Sequence, residues 1–139
     1  MSSEAGMLTR VLIANRGEIA IRIANAADAL GMESVTVYSE IDSLALHPTV
    51  STETRLLGPV DGDPVAQYLD IDRLIEIAKE TGCDCVHPGY GFLSESAEFA
   101  QRCADEGLTF VGPSAEVLAL FGDKVAAKTL ARSLNSAVI

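Results

Sequence analysis

The 139-residue chain is 48% apolar with a mean hydropathy of +0.25, enough to fill the core of one domain, which excludes disorder for the whole. Twenty acidic against ten basic residues give a net charge of −10. With the basic residues scattered and no tryptophan, that balance excludes a general nucleic-acid or anionic-membrane surface.

Residues 1–7 carry neither a basic n-region nor an apolar h-region, so they read as a flexible tail, not a secretory signal. No apolar run approaches the roughly 18 residues of a membrane span. Three cysteines, an odd number, suit a reducing compartment, and cytoplasm is the expected location.

Residues 10–14, Arg-Val-Leu-Ile-Ala, form a continuous apolar run, the pattern of a short strand buried on both faces. Asn15 to Glu18 makes a tight turn. Ile19, Ile23, Ala26, Ala27 and Leu30 then recur at helical spacing, and Gly31 stops the helix. Ser34 to Tyr38, rich in β-branched residues, is a second strand. Strand, crossover helix and strand within about 30 residues form the unit of a parallel sheet. A polar segment follows from Ser39, with a short helix through Leu46 ending near His47-Pro48, and a weaker strand over 53–57. Gly58-Pro59 and Asp61-Gly62-Asp63-Pro64 mark a turn-rich loop whose two aspartates are expected to be solvated.

Asp70 is placed to cap a helix whose Ile71, Leu74, Ile75 and Ala78 face the core, with Gly82 ending it. Asp84 to Val86 is the next strand and delivers the chain into a glycine-rich loop, His87-Pro88-Gly89-Tyr90-Gly91-Phe92-Leu93-Ser94-Glu95. Ser94 is expected to cap a helix carrying Ala97, Ala100, Cys103 and Ala104 inward, followed by a strand over 109–111. Pro113-Ser114 opens a short helix with Val117, Leu118 and Phe121, which Gly122 breaks. Asp123 caps again, Val125, Ala126, Leu130 and Leu134 stripe a last helix, and Ala137-Val138-Ile139 reads as the opening of a further strand. The alternation predicts an α/β fold: a Rossmann-like open parallel sheet with helices on both faces.

Four chemical readings are weighed on the residues alone. The turn Asn15 to Ala20 holds one glycine where a dinucleotide loop needs about three, and Glu18 would repel a phosphate there. Cys83, Cys85 and His87 alternate, so an extended strand would point them one way, but no fourth metal ligand is near; small buried hydrophobes are the expected role, and no metal site is assigned. No Gly-x-Ser-x-Gly elbow activates a serine. Lys124 follows Gly122-Asp123, and a lysine in a first helical turn opposes the dipole, a cost that makes sense if it meets a phosphate together with the helix-end amides. The loop from His87 is the clearest ligand candidate, because α/β sheets bind ligands at their carboxyl edge.

Val11 to Ala20, His87 to Glu95 and Gly122-Asp123-Lys124 occur together in a set order. With Val37 to Glu40, Ala45 to His47, Tyr68-Leu69 and Phe110 to Pro113, they resemble the biotin carboxylases from about Leu8 onward. The resemblance implies the domain preceding the ATP-grasp region, over 8–121, with 122–139 starting the connection to an ATP-grasp region outside this chain. Such enzymes use Mg-ATP to activate bicarbonate and carboxylate biotin on a carrier domain, and a carboxyltransferase subunit or domain then chooses the acceptor. Carried over, Tyr90 and Gly91 line the cleft near biotin and Lys124 contacts ATP. ATP, Mg²⁺ and biotin are the implied cofactors, and the metal glutamates and catalytic base are expected outside this chain, which alone is expected to be inactive.

Three departures stand out. Ser96 replaces the family's usual asparagine. The loop before Tyr68 is about two residues longer than usual. Asn25 and Ala29 replace charged residues through which stand-alone bacterial subunits dimerise, so a different assembly is expected. The alternatives are the equivalent domain of another ATP-grasp ligase, such as a carbamoyl-phosphate synthase, and a non-catalytic α/β binding module.

Overall fold

The structure, a computed structural model, describes residues 7–58 and 63–134. Among them five strands form one sheet: β1 (Arg10–Ile13), β2 (Glu33–Tyr38), β3 (Glu53–Leu56), β4 (Cys85–His87) and β5 (Thr109–Phe110). Their order is β3-β2-β1-β4-β5 and every pairing is parallel, with Leu12 opposite Val35 on one side and Val86 on the other. The helices are α1 (Gly17–Ala29), α2 (Pro64–Gln67), α3 (Ile71–Glu80), α4 (Ala97–Asp105) and α5 (Ala115–Leu134). The expected open parallel sheet is therefore present. Its order reverses between β1 and β4, where such sheets open a crevice at their carboxyl ends.

Alternation along β1 divides the core. Leu12 points to the face under α3 and α4, with Val35, Val37, Leu74, Ile77, Val86, Phe99 and Cys103. Val11 and Ile13 point to the other face, where Ala20, Ile23, Ala24 and Ala27 of α1 cover them. Only part of the expected α1 stripe is closed off. Ile19, Ile23, Ala26, Ala27 and Leu30 also line an open apolar groove of 410 Å³ beside the strands. No helix among the described residues is long and apolar enough to cross a membrane.

Several local expectations are corrected. Ser96, not Ser94, caps α4, its Oγ accepting from Phe99 N at 3.1 Å. Phe99 is fully buried on this helix, and Ala104, expected inward, is exposed. Serine in place of asparagine keeps the cap, since both side chains offer an oxygen of similar reach. Cys83 packs on the α3–α4 face and Cys85 on the α1 face, because Cys83 precedes β4 and escapes its alternation. The segment after Ser39 holds two 3₁₀ turns, Glu40–Asp42 and His47–Thr49, in place of one helix. Asp63 caps the short α2, accepting from Val65 N at 3.1 Å, a more definite role than solvation. Asp70 caps α3 as expected, accepting from Arg73 N at 3.1 Å.

The largest correction concerns Gly122. Helix α5 runs through it without a break, so Asp123 caps nothing and Lys124 lies mid-helix, not in a first turn. One glycine in twenty residues costs about 1 kcal/mol against alanine, too little to interrupt a helix that continues on both sides. The expected boundary at 121/122 falls inside α5. The side chains of the stripe Val125, Ala126, Leu130 and Leu134, and the strand at residues 137–139, lie outside what is described.

Candidate active-site wall

The carboxyl ends of β1 and β4 bring together two segments far apart in sequence. Asn15 follows β1 and is 1% exposed. Its Nδ2 donates to Pro88 O at 2.7 Å and to Tyr90 O at 2.9 Å, while its Oδ1 accepts from Arg16 N at 2.8 Å. The loop after β4 is thus tied to the turn after β1. Gly89 has φ +68°, and a Cβ built there would lie 2.7 Å from Asn15 Nδ2, so only glycine lets the two meet. Gly89 N donates to His87 Nδ1 at 3.0 Å, and burial pushes the His87 pKa down, favouring the neutral ring that can accept it.

Beside this clasp lies a buried polar cluster. Arg16 stands at the N-cap of α1 but has no capping oxygen. Its Nε and Nη2 donate to the two oxygens of Asp42 at 2.7 and 2.5 Å. Tyr68 OH donates to Asp42 at 2.6 Å and accepts from Ser39 N at 3.1 Å. The hydrogen-bonded Arg16 guanidinium, helped by Tyr68, outweighs burial and holds Asp42 at about 2. Burial, then the Asp42 hydrogen bond, pushes Tyr68 up to about 12. His47 supplies what Arg16 cannot: its Nδ1 accepts from Gly17 N at 3.4 Å, while Nε2 lies 2.9 Å from Val37 O. This fixes one neutral tautomer, and burial lowers the His47 pKa to match.

The cluster touches the loop through rings. Tyr68 packs against Phe92 with centroids 5.7 Å apart, and the Arg16 guanidinium lies 5.8 Å from the Tyr68 centroid. Phe92 has φ +45°, a left-handed conformation unusual for a bulky residue, and Leu93 anchors the following turn in the core. Tyr90 is 70% exposed, and no atom lies within 4 Å of a Cβ built on Gly91. The loop therefore presents an aromatic ring and open backbone on a rigid base.

Of the residues singled out from the sequence, Tyr90 and Gly91 share this wall. Lys124 stands apart on α5, exposed, and no hydrogen bond or ion pair among the described residues ties it to the loop. Asn15, Asp42 and Tyr68 are the residues that sequence reasoning passed over. Asn15 ends a strand that the order 3-2-1-4 sets beside the loop, and that adjacency was the available signal. Asp42 carried none in its local pattern, and Tyr68 entered only through the Tyr68-Leu69 match, with no role attached. Among the described residues no group of three His, Cys, Asp or Glu side chains could hold a metal ion.

A doubly wound parallel sheet, with an aromatic, glycine-rich loop clasped at its switch point, defines an α/β domain of Rossmann-like type whose first turn holds one glycine where a dinucleotide loop has about three. Residues 7–118 match the family described as biotin carboxylase, N-terminal domain, and the chain belongs to that family. It is 48% identical to the pyruvate carboxylase of Staphylococcus aureus over 132 residues, which are 95% of this chain and 11% of that protein. It is 46% identical over 134 residues to the biotin carboxylase of Halalkalibacterium halodurans, covering 96% of this chain and 29% of that one. The biotin carboxylase domain of the Hydrogenobacter thermophilus 2-oxoglutarate carboxylase superposes with a TM-score of 0.81 at 42% identity, over 88% of this chain and 26% of that one. The chain thus spans less than a third of each of these relatives.

Proposed function

We propose that this domain supplies one wall of a biotin carboxylase active site, in an enzyme that uses Mg-ATP and bicarbonate to carboxylate biotin on a carrier domain. The observation that carries this reading is the clasped His87–Glu95 loop at the switch point of a chain belonging to this family. The structure of the Hydrogenobacter domain is a dimer in complex with ADP, its magnesium salt and bicarbonate, which supports the same nucleotide and anion here. An exposed ring beside open backbone fits a flat, uncharged ureido group, so Tyr90 and Gly91 are assigned to the biotin side. The ligands for Mg²⁺ are assigned to the remainder of an enzyme several times longer. With a carboxyltransferase as partner and three free, buried cysteines, a cytoplasmic setting is the one we favour.

Lys124 is assigned to ATP. Its side chain is an exposed cation free of carboxylate partners among the described residues, as a phosphate contact requires. The support is the Gly-Asp-Lys motif and the exposed charge, not the amides of a helix end, since Lys124 lies within α5. In a complete enzyme carrying this domain, Lys124→Ala is expected to raise the ATP KM about 10- to 100-fold, from a charge-assisted contact worth roughly 1.5–3 kcal/mol. Steady-state kinetics at saturating biotin and bicarbonate measure it, and an unchanged KM would refute the role.

A further inference from the structure

We infer that Asn15 is a positioning residue: its amide sets the backbone of Pro88 to Phe92 and so aims the Tyr90 ring into the cleft. The inference rests on the reading of that loop as the biotin-facing wall.

The orientation of the Asn15 amide follows from its partners. One end meets a backbone N–H, which only an oxygen can accept, and the other meets two carbonyl oxygens, to which only an NH₂ can donate. Both amide hydrogens are therefore spent on the loop. The loop needs such a tie, because Gly89, Gly91 and Phe92 have φ of 68°, 70° and 45°, and no regular element holds residues 88–92. Its other backbone hydrogen bonds are local, Gly89 N to His87 Nδ1 and Ser94 N to Gly91 O, and tie the loop to no other segment. Among the described residues, Asn15 is the side chain that reaches this backbone from another segment, gripping the carbonyls on either side of Gly89. Since Tyr90 O is held at 2.9 Å while its ring is 70% exposed, the backbone is fixed and the ring is left for a ligand. Gly89 completes the fit from the loop side, with room for no more than a hydrogen facing Asn15 Nδ2.

The test uses a complete enzyme carrying this domain, assayed with free biotin as the probe. Asn15→Asp keeps the acceptor for Arg16 N but sets a carboxylate oxygen against two carbonyl oxygens, and Asn15→Ser removes the amide with less disturbance. Both are expected to raise the biotin KM about tenfold or more, as expected from losing two hydrogen bonds, while the ATP KM stays within about twofold. A merely structural role would lower the folded fraction and hence kcat, moving neither KM. Gly89→Ala, which displaces the amide from the other side, is expected to raise the biotin KM likewise. It should be less than additive with Asn15→Ser, because the serine relieves its clash. If Asn15→Asp does not fold, Asn15→Ser and Gly89→Ala carry the same comparison. If these variants leave the biotin KM unchanged, or raise both KM values equally, while Tyr90→Ala raises that for biotin alone, the positioning role is overturned and the loop reading stands. If Tyr90→Ala also leaves the biotin KM unchanged, the loop reading fails and the positioning role with it.

Discussion

Phe99→Ala is expected to destabilise the chain by about 3–5 kcal/mol, the usual cost of emptying a fully buried aromatic site. Phe99 is 0% exposed and meets Phe110 edge to face, centroids 5.8 Å apart at 89°. It joins α4 to β5 and to Leu74, Ile77 and Cys103, so its removal leaves a cavity shared by three elements. The Ser96 cap on Phe99 N is a backbone contact that survives the change, which confines the loss to packing. Against a total stability of about 5–15 kcal/mol the loss is severe. In urea the midpoint should fall with little change in slope, and Phe99→Leu should lose less than half as much. A loss below about 1 kcal/mol for the alanine variant would contradict the packing of α4 on the sheet.

Asp42→Ala is expected to cost less, about 1.5–3 kcal/mol. The Arg16 side chain is 46% exposed and stays hydrated when its partner is removed, so the loss is that of charge-assisted hydrogen bonds and not of a stranded buried charge. The buried Tyr68 hydroxyl also loses its acceptor. The effect carries a pH signature. The folded value of Asp42, about 2, lies below the roughly 3.9 of an unfolded aspartate. A depressed folded value means that the stabilisation is complete above about pH 5 and is lost as pH falls through about 4 toward 2. The stability gap between wild type and Asp42→Ala should therefore narrow by about 1 kcal/mol from about pH 6 to about pH 3. Urea titrations at both values measure it; a constant gap would show that the carboxylate draws no stability from its charge.

Most of the architecture was legible because it rests on periodicity and punctuation. Buried runs such as Val11 to Ala14, the cap at Asp70 and the glycine after α1 act within a few residues, so a local pattern records them. Errors arose where two local signals competed. Ser94 and Ser96 both suit a cap, and only packing decides that Phe99, not Ala104, turns inward. Gly122 resembles a helix stop, yet continuity on both sides of it prevails. The loop wall was visible in its glycines, whereas what holds it was not. The Asn15 clasp spans 73 residues to Pro88 and the Asp42–Tyr68 contact spans 26, so both depend on strand order, which no local window contains.

Free-biotin kinetics test most directly whether this domain forms the biotin-facing wall of a biotin carboxylase. A complete enzyme carrying the domain is given Mg-ATP, labelled bicarbonate and free biotin, and label fixed on biotin is followed for wild type and Tyr90→Ala. The account predicts ATP-dependent labelling of biotin by the wild type, with Tyr90→Ala lowering kcat/KM for biotin about tenfold and leaving the ATP KM within about twofold. Absence of ATP-dependent labelling in the folded wild-type enzyme, or equal losses toward biotin and ATP in Tyr90→Ala, would contradict it.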